Sequence, residues 1–212
     1  MANIKNINSE RQYYIDWLRI IFGMKKNGKI ALLIAGYVLG LLAMVILPVI
    51  TSHGYSIIRN TLSELGAQSA PEGWIMNLIF VCLAFGSVIA GWNYFEGFLL
   101  HRIVLVLFGI SLTLMAFFNH APLNPGIRYN LTEASLHEYF SGTMGLSFVI
   151  LSISTSLILE RQSKRLLAIA VGISIILLSV MMSEAEMYAG IWQRLMFIIS
   201  FGWMIYTYST SE

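Results

Sequence analysis

Six apolar runs dominate this chain, at about residues 30–50, 74–95, 103–119, 137–158, 166–183 and 192–208, and short polar joints separate them. A helix needs about 20 mostly apolar residues to cross a ~30 Å hydrocarbon core, and an open sheet cannot satisfy its backbone there. The runs therefore predict an all-α, polytopic membrane protein with six transmembrane helices. The third run and the last two are slightly short, a mismatch that interfacial residues or local bilayer thinning absorb. Composition agrees, with 57% hydrophobic and 11% charged residues against about 25% charged in soluble domains. Spans consume nearly all of the 212 residues, which leaves no room for a separate soluble catalytic module.

The reading divides the chain into a cytoplasmic or interfacial segment (1–28), a six-helix bundle (29–208) and a short cytoplasmic tail (209–212). Residues 7–24 mix aliphatic and aromatic side chains with Arg11, Asp16 and Arg19 at helical spacing, which predicts an amphipathic helix in the membrane interface. No small-residue cleavage site follows the first run, so that run is expected to remain as a span. With the N-terminus inside, ten of the 13 basic residues fall on the cytoplasmic side; only Arg59, Arg128 and Arg194 fall outside. That asymmetry predicts an orientation with both ends in the cytoplasm of a cell membrane. The formal net charge of +2 is too small to argue for a nucleic-acid partner, and the lone Cys82 cannot form an intramolecular disulfide.

Small residues recur four apart in three runs, as Gly36 and Gly40, Gly86 and Ala90, and Ser141 and Gly145. Such pairs let helix backbones approach closely in lipid, where apolar burial alone does not drive association.

Polar chemistry concentrates between the third and fourth runs, from Asn119 to Ser141. Pro122 and Pro125 end the third span. Asn130 is placed as an N-cap with Glu133 at the third helical position, so the next helix begins near Leu131. Glu133, His137 and Ser141 then share one face, and a carboxylate one turn from a histidine can raise its basicity, orient its tautomer or share a metal with it. Zinc needs three or four converging ligands, which His120, His137 and Glu133 or Glu186, with His53, could supply. No His-Glu-x-x-His or Cys-x-x-Cys motif supports a metal, and a histidine bonded to glutamate or backbone is the simpler reading.

Elsewhere, Thr61 and Glu64 have capping-box spacing and place a short helix after the first span. Ser63 is a nucleophile candidate there, without a nucleophile elbow around it. The last outer joint brings Glu184 and Glu186 and then Arg194 just inside a span, where it can pair with an acid or meet a phosphate or carboxylate.

Three pieces together carry a family resemblance: Leu62-Ser-Glu-Leu-Gly-Ala67 after the first span, the Pro-containing end of the third span with His137 opening the fourth, and Gly190-Ile-Trp-Gln-Arg-Leu195 entering the sixth, followed by Trp203. Over about residues 30–208 the chain resembles the six-span prokaryotic membrane family catalogued as domain of unknown function 998, distantly similar to Frag and DRAM type proteins. Ala121-Pro122 stands where that family often has Phe-Pro, which keeps the turn and removes an aromatic ring. The resemblance implies the six-span fold and a grouping of Ser63, His137 and Arg194; it implies no activity.

The leading expectation is a polar pocket at the extracytoplasmic face that binds or moves a lipid or small amphiphile, with Arg59, Arg128, Arg194 and Glu186 as ligand-binding residues. A second expectation is an intramembrane lipid hydrolase, zinc-dependent in one version and similar in logic to alkaline ceramidase type enzymes. His137, Glu133 and Ser63 are its catalytic candidates and His120, His137 and Glu133 its metal candidates. A third is a non-catalytic accessory subunit whose charges form interhelical pairs. Expected partners are membrane lipids, with a membrane-protein partner or a second copy of the chain as further options.

Overall fold

The computed structural model describes residues 26–51, 54–124 and 126–210. The expected interfacial helix over 7–24, together with His53, Pro125 and the last two residues, lies outside the described part. Among the described residues the chain is all α-helical apart from its turns. Its helices are α1 (Lys26–Ile50), α2 (Leu62–Leu65), α3 (Gly73–Tyr94), α4 (Leu99–Phe117), α5 (Leu131–Thr155), α6 (Gln162–Glu184) and α7 (Ala189–Ser209), with a 3-10 turn (Glu186–Tyr188) before α7.

Each apolar run falls on one long helix. Four helices, Gly28–Ile50 within α1 and the whole of α3, α4 and α6, are long and apolar enough to cross a membrane. The remaining two, α5 and α7, span 25 and 21 residues. They are less apolar because their first turns carry Glu133, His137 and Glu138, or Gln193 and Arg194. Helix α4 starts four residues before its apolar run, since His101 and Arg102 interrupt the hydropathy pattern without interrupting the helix.

The long helices form a closed ring. Each packs on the next in chain order, α1 on α3, α3 on α4, α4 on α5, α5 on α6 and α6 on α7, and α7 packs back on α1. The short α2 sits at one end against α1, α3 and α7. Aromatic rings fill the interior: Phe108 lies 6.1 Å from Phe148 and 6.2 Å from Phe201, and Phe148 meets Trp203 edge-on at 5.7 Å. The outer sides of the helices are apolar and exposed, with Val49 at 81% and Leu99 at 72% of full exposure. A belt of this kind is stable against lipid, and in water it would associate. The fold is that of a multi-pass membrane protein.

Small residues set the closest helix approach. A Cβ added at Gly86 of α3 would stand 2.8 Å from the backbone of Leu33 in α1, so only glycine permits that spacing. The Ser141 and Gly145 pair behaves differently from the packing expected of it: a Cβ at Gly145 would meet nothing within 4 Å.

The two ends of the ring differ in chemistry. At one end Arg102 lies 4.8 Å from the centre of the Trp92 ring and donates to the Trp92 carbonyl at 3.0 Å, while Arg165 donates to the Ser156 carbonyl at 3.0 Å. This is the basic end. The opposite, polar end carries α2, the loops around residues 54–70 and 118–130, and the 3-10 turn.

Candidate functional site at the polar end

The polar end is organised around residues 55–70, which fold back over the bundle after α1. The capping box forms as its spacing predicts: the Thr61 hydroxyl accepts from the Glu64 amide at 3.3 Å, and the Glu64 carboxylate accepts from the Thr61 amide. A second cap comes from far along the chain. Gln193 of α7 accepts from the Leu62 and Ser63 amides through Oε1 and donates to Ser63 Oγ at 3.3 Å through Nε2. Ser63 is 5% exposed and is held by an amide side chain rather than by a base.

Arg194 enters next to Gln193 and is 9% exposed. Its Nη1 donates to the carbonyls of Ile57 at 2.9 Å, Asn60 at 2.9 Å and Gly190 at 2.8 Å, and its Nη2 donates to the Tyr55 hydroxyl at 2.8 Å. Two amides of the same helix reach the same loop, Gly190 donating to the Arg59 carbonyl at 3.1 Å and Ile191 to the Ile58 carbonyl at 3.3 Å. Four successive carbonyls, Ile57 to Asn60, thus accept from the first turns of α7. The start of a helix carries unpaired N–H groups and a partial positive charge, and this loop satisfies both. Tyr55 completes the arrangement by donating to the Thr61 carbonyl at 2.8 Å. Burial holds the Tyr55 hydroxyl above its ordinary pKa, Arg194 opposes that rise and Glu64 adds to it. Arg194 therefore contacts backbone and tyrosine, and it pairs with no carboxylate among the described residues.

A second group of bonds ties the other side of residues 55–70 to α4 and α5. Asn130 caps α5 as expected, accepting from the Thr132 amide at 3.1 Å and the Glu133 amide at 3.3 Å. Gln68 donates to the carbonyls of Asn119 at 3.3 Å and Asn130 at 3.0 Å, and it accepts from the Asn130 amide at 2.9 Å. Asn77 of α3 donates to Asn119 Oδ1 at 2.6 Å. Glu133 accepts from the Asn119 amide at 2.9 Å, so its carboxylate serves the end of α4.

His137 is 3% exposed and serves the same end of α4. Its Nδ1 lies 2.9 Å from the Met115 carbonyl and 2.8 Å from the Phe118 carbonyl, which identifies Nδ1 as the protonated nitrogen because carbonyls only accept. These bonds satisfy carbonyls that a helix end leaves without partners. The His120 ring stands edge-to-face on His137 at 5.2 Å, with its own Nδ1 2.9 Å from the Ala121 carbonyl. Among the described residues, no three His, Cys, Asp or Glu side chains are grouped to hold a metal ion.

Between these two bonded sides lies a cleft of about 370 Å³, lined by Thr51, Gly54, Glu64, Gln68, Leu123 and Asn124 among others. None of Arg59, Arg128, Arg194 and Glu186 is on its wall. Arg59, Arg128 and Glu186 are exposed, the last in the 3-10 turn. The structure thus brings Ser63 and Arg194 to one side of residues 55–70 through Gln193, and His137, Glu133 and His120 to the α4–α5 side. Sequence reasoning missed Tyr55, Gln68, Asn77 and Gln193. Two of these left a signal, since Asn77 and Gln193 are uncharged polar residues inside apolar runs.

Fold and site together define a multi-pass membrane protein whose one end is a hydrogen-bonded cap enclosing a cleft. Residues 34–209 match the family model described as Protein of unknown function (DUF998), and the chain belongs to that family. No curated protein and no solved structure matches it.

Proposed function

We propose that the chain is a six-span membrane protein, with both ends in the cytoplasm, that binds or moves a lipid or small amphiphile in the cleft at its outward-facing polar end. The cleft itself carries this reading: about 370 Å³ of space, walled by both polar and apolar groups, at one end of a helix ring whose sides are apolar and exposed. Small-molecule sites are concave, of about 300–1,000 Å³, and mainly apolar with a few placed polar groups. A ligand with a short polar head and an apolar tail matches both the cleft and its neighbourhood. The basic end faces the cytoplasm by the positive-inside rule, which puts the cleft outside.

The test is photocrosslinking with a diazirine-bearing alkyl amphiphile in proteoliposomes. Labels should concentrate in residues 51–70 and 122–127 and should fall away in an Ala70→Trp variant. Labels spread evenly over the exposed helix sides, unchanged by Ala70→Trp, overturn the reading. For the orientation, a membrane-impermeant maleimide applied to intact cells should label Asn124→Cys and should leave Ser163→Cys unlabelled. The reverse pattern overturns the orientation.

A further inference from the structure

The chemistry of the cleft wall selects among amphiphiles. We infer, resting on the cleft reading above, that the head it accepts is a protonated primary amine rather than a phosphate, sulfate or carboxylate.

Charge comes first. Glu64 is the only ionisable side chain on the described wall. Its Oε1 accepts from Asn60 Nδ2 at 3.2 Å and its Oε2 from the Thr61 amide and hydroxyl, three bonds on a carboxylate that offers about four acceptor sites. Among the described residues, the outer arginines that could balance it are placed elsewhere. Arg194 is caged by three carbonyls and the Tyr55 hydroxyl and is absent from the wall, while Arg59 and Arg128 are exposed, where solvent and salt screen them. An anionic head would meet a carboxylate with no cation beside it among the described residues, a repulsive arrangement that excludes wrong ligands effectively.

The remaining wall groups then decide between kinds of cation. Thr51 Oγ1 is buried with no hydrogen-bond partner, and Asn124 Oδ1 accepts only the Gly126 amide, at 3.0 Å. Gln68 Nε2 is taken up by the Asn119 and Asn130 carbonyls, and its Oε1, like Asn124 Oδ1, accepts a single backbone amide. Glu64 and Asn124 therefore each retain acceptor capacity for a donor, while the Thr51 hydroxyl is unpartnered but buried. A primary ammonium has three N–H donors, whereas a quaternary ammonium has none and is recognised by aromatic faces, which the described wall lacks. Ala67, Ala70, Pro122, Leu123 and Ile127 supply apolar wall for the first part of a tail.

The experiment titrates the full chain in uncharged maltoside micelles at neutral pH with octylamine, octyltrimethylammonium and octyl phosphate, and with ethylamine as the tail-free amine. Binding is followed by calorimetry and referenced to two cleft-filling variants on different walls, Ala70→Trp and Leu123→Trp. Glu64→Gln is the discriminating variant, because glutamine also completes a capping box and the fold is retained. Octylamine should bind at least about tenfold more tightly than octyl phosphate, the scale of one charge-assisted hydrogen bond, and Glu64→Gln should remove most of that preference. Octyl phosphate binding as tightly as octylamine, with both lost in the filling variants, overturns the charge inference and leaves the cleft reading standing. Equal binding of octyltrimethylammonium overturns the primary-amine assignment, and ethylamine binding as tightly as octylamine overturns the amphiphile as its source. Failure of every probe to show filling-sensitive binding overturns the cleft reading and this inference together.

Discussion

Arg194 donates to the carbonyl oxygen of Asn60 at 2.9 Å across 134 residues of sequence, joining the start of the last helix to the first loop of the polar end. The same guanidinium holds Ile57 and Tyr55, so one side chain ties together residues 55–60 ahead of α2.

Removing that side chain takes the arginine donor from the Ile57 and Asn60 carbonyls in a part-buried site and leaves Asn60 with the Tyr55 hydroxyl alone, at 3.1 Å. Each unsatisfied group costs about 1–3 kcal/mol, so Arg194→Ala is expected to destabilise the protein by about 2–4 kcal/mol. Thermal unfolding in detergent measures the loss, and tryptic cleavage after Arg59 should accelerate in the folded variant. Arg194→Lys should fall between the two, because an ammonium cannot reproduce the planar fork that spans these acceptors. An unchanged midpoint and cleavage rate in Arg194→Ala would show that the loop is held by other contacts.

Gly190 and Gly145 give opposite expectations for the same substitution. A Cβ at Gly190 collides with the carbonyl oxygens of Ile57 and Asn60 and stands 2.9 Å from Arg194 Nη1, whereas one at Gly145 meets open space. Gly190→Ala should therefore cost about 1–3 kcal/mol as an overpacked contact. Gly145→Ala should be neutral or stabilising by a few tenths to about 1 kcal/mol, since alanine is the better helix former. Comparing the two unfolding midpoints checks the pair, and equal effects would contradict the close contact at Gly190.

His137 acts here as a cap on α4, through one nitrogen. His137→Ala is expected to lower stability by about 1–3 kcal/mol by leaving helix-end carbonyls without a donor. His137→Asn should recover much of the loss, because its amide N–H can replace the Nδ1 donor. A midpoint of His137→Asn no better than that of His137→Ala would assign the residue a role that needs the whole ring, and metal analysis of the wild-type protein would then be the next measurement.

The Tyr55 hydroxyl gives a pH dependence. Burial raises its pKa above the ordinary tyrosine value, so the folded state keeps its proton more firmly than the unfolded state does. Stability from this group is fully present below about pH 10 and declines as pH rises through the folded-state pKa. Its neighbours Arg194 and Glu64 act in opposite senses, lowering and raising the value respectively. Tyr55→Phe should flatten the alkaline part of the stability profile, read as unfolding midpoints between about pH 9 and pH 11. A wild-type and variant pair with parallel profiles would exclude Tyr55 as the titrating group.

The sequence displayed some parts of this structure and concealed others, for physical reasons. Apolar runs showed the long helices because lipid-facing and core-facing positions are both apolar, so the pattern survives without periodicity. Caps were readable because they are local: Thr61 with Glu64 and Asn130 with its own helix involve residues three apart or fewer. The partners of Arg194 and His137 were hidden because they are backbone carbonyls, which every residue possesses and no composition reveals. Glu133 and His137 do lie one turn apart on α5, yet both are directed to the end of α4. The cleft wall was equally hidden, since Gln68, Ala70 and Asn124 belong to residue types that carry no catalytic signature.

The closure of α7 onto the first loop also fixes an order of assembly. As the chain emerges from the ribosome, the carbonyls of Ile57 to Asn60 are made well before their donors on Gly190, Ile191 and Arg194, with 134 residues of sequence separating Asn60 from Arg194. Until then those carbonyls lack their α7 donors. A chain truncated before Gly190 loses the clasp on its first loop along with its final helix. The clasp is complete only when α7 has come back to the loop that follows α1.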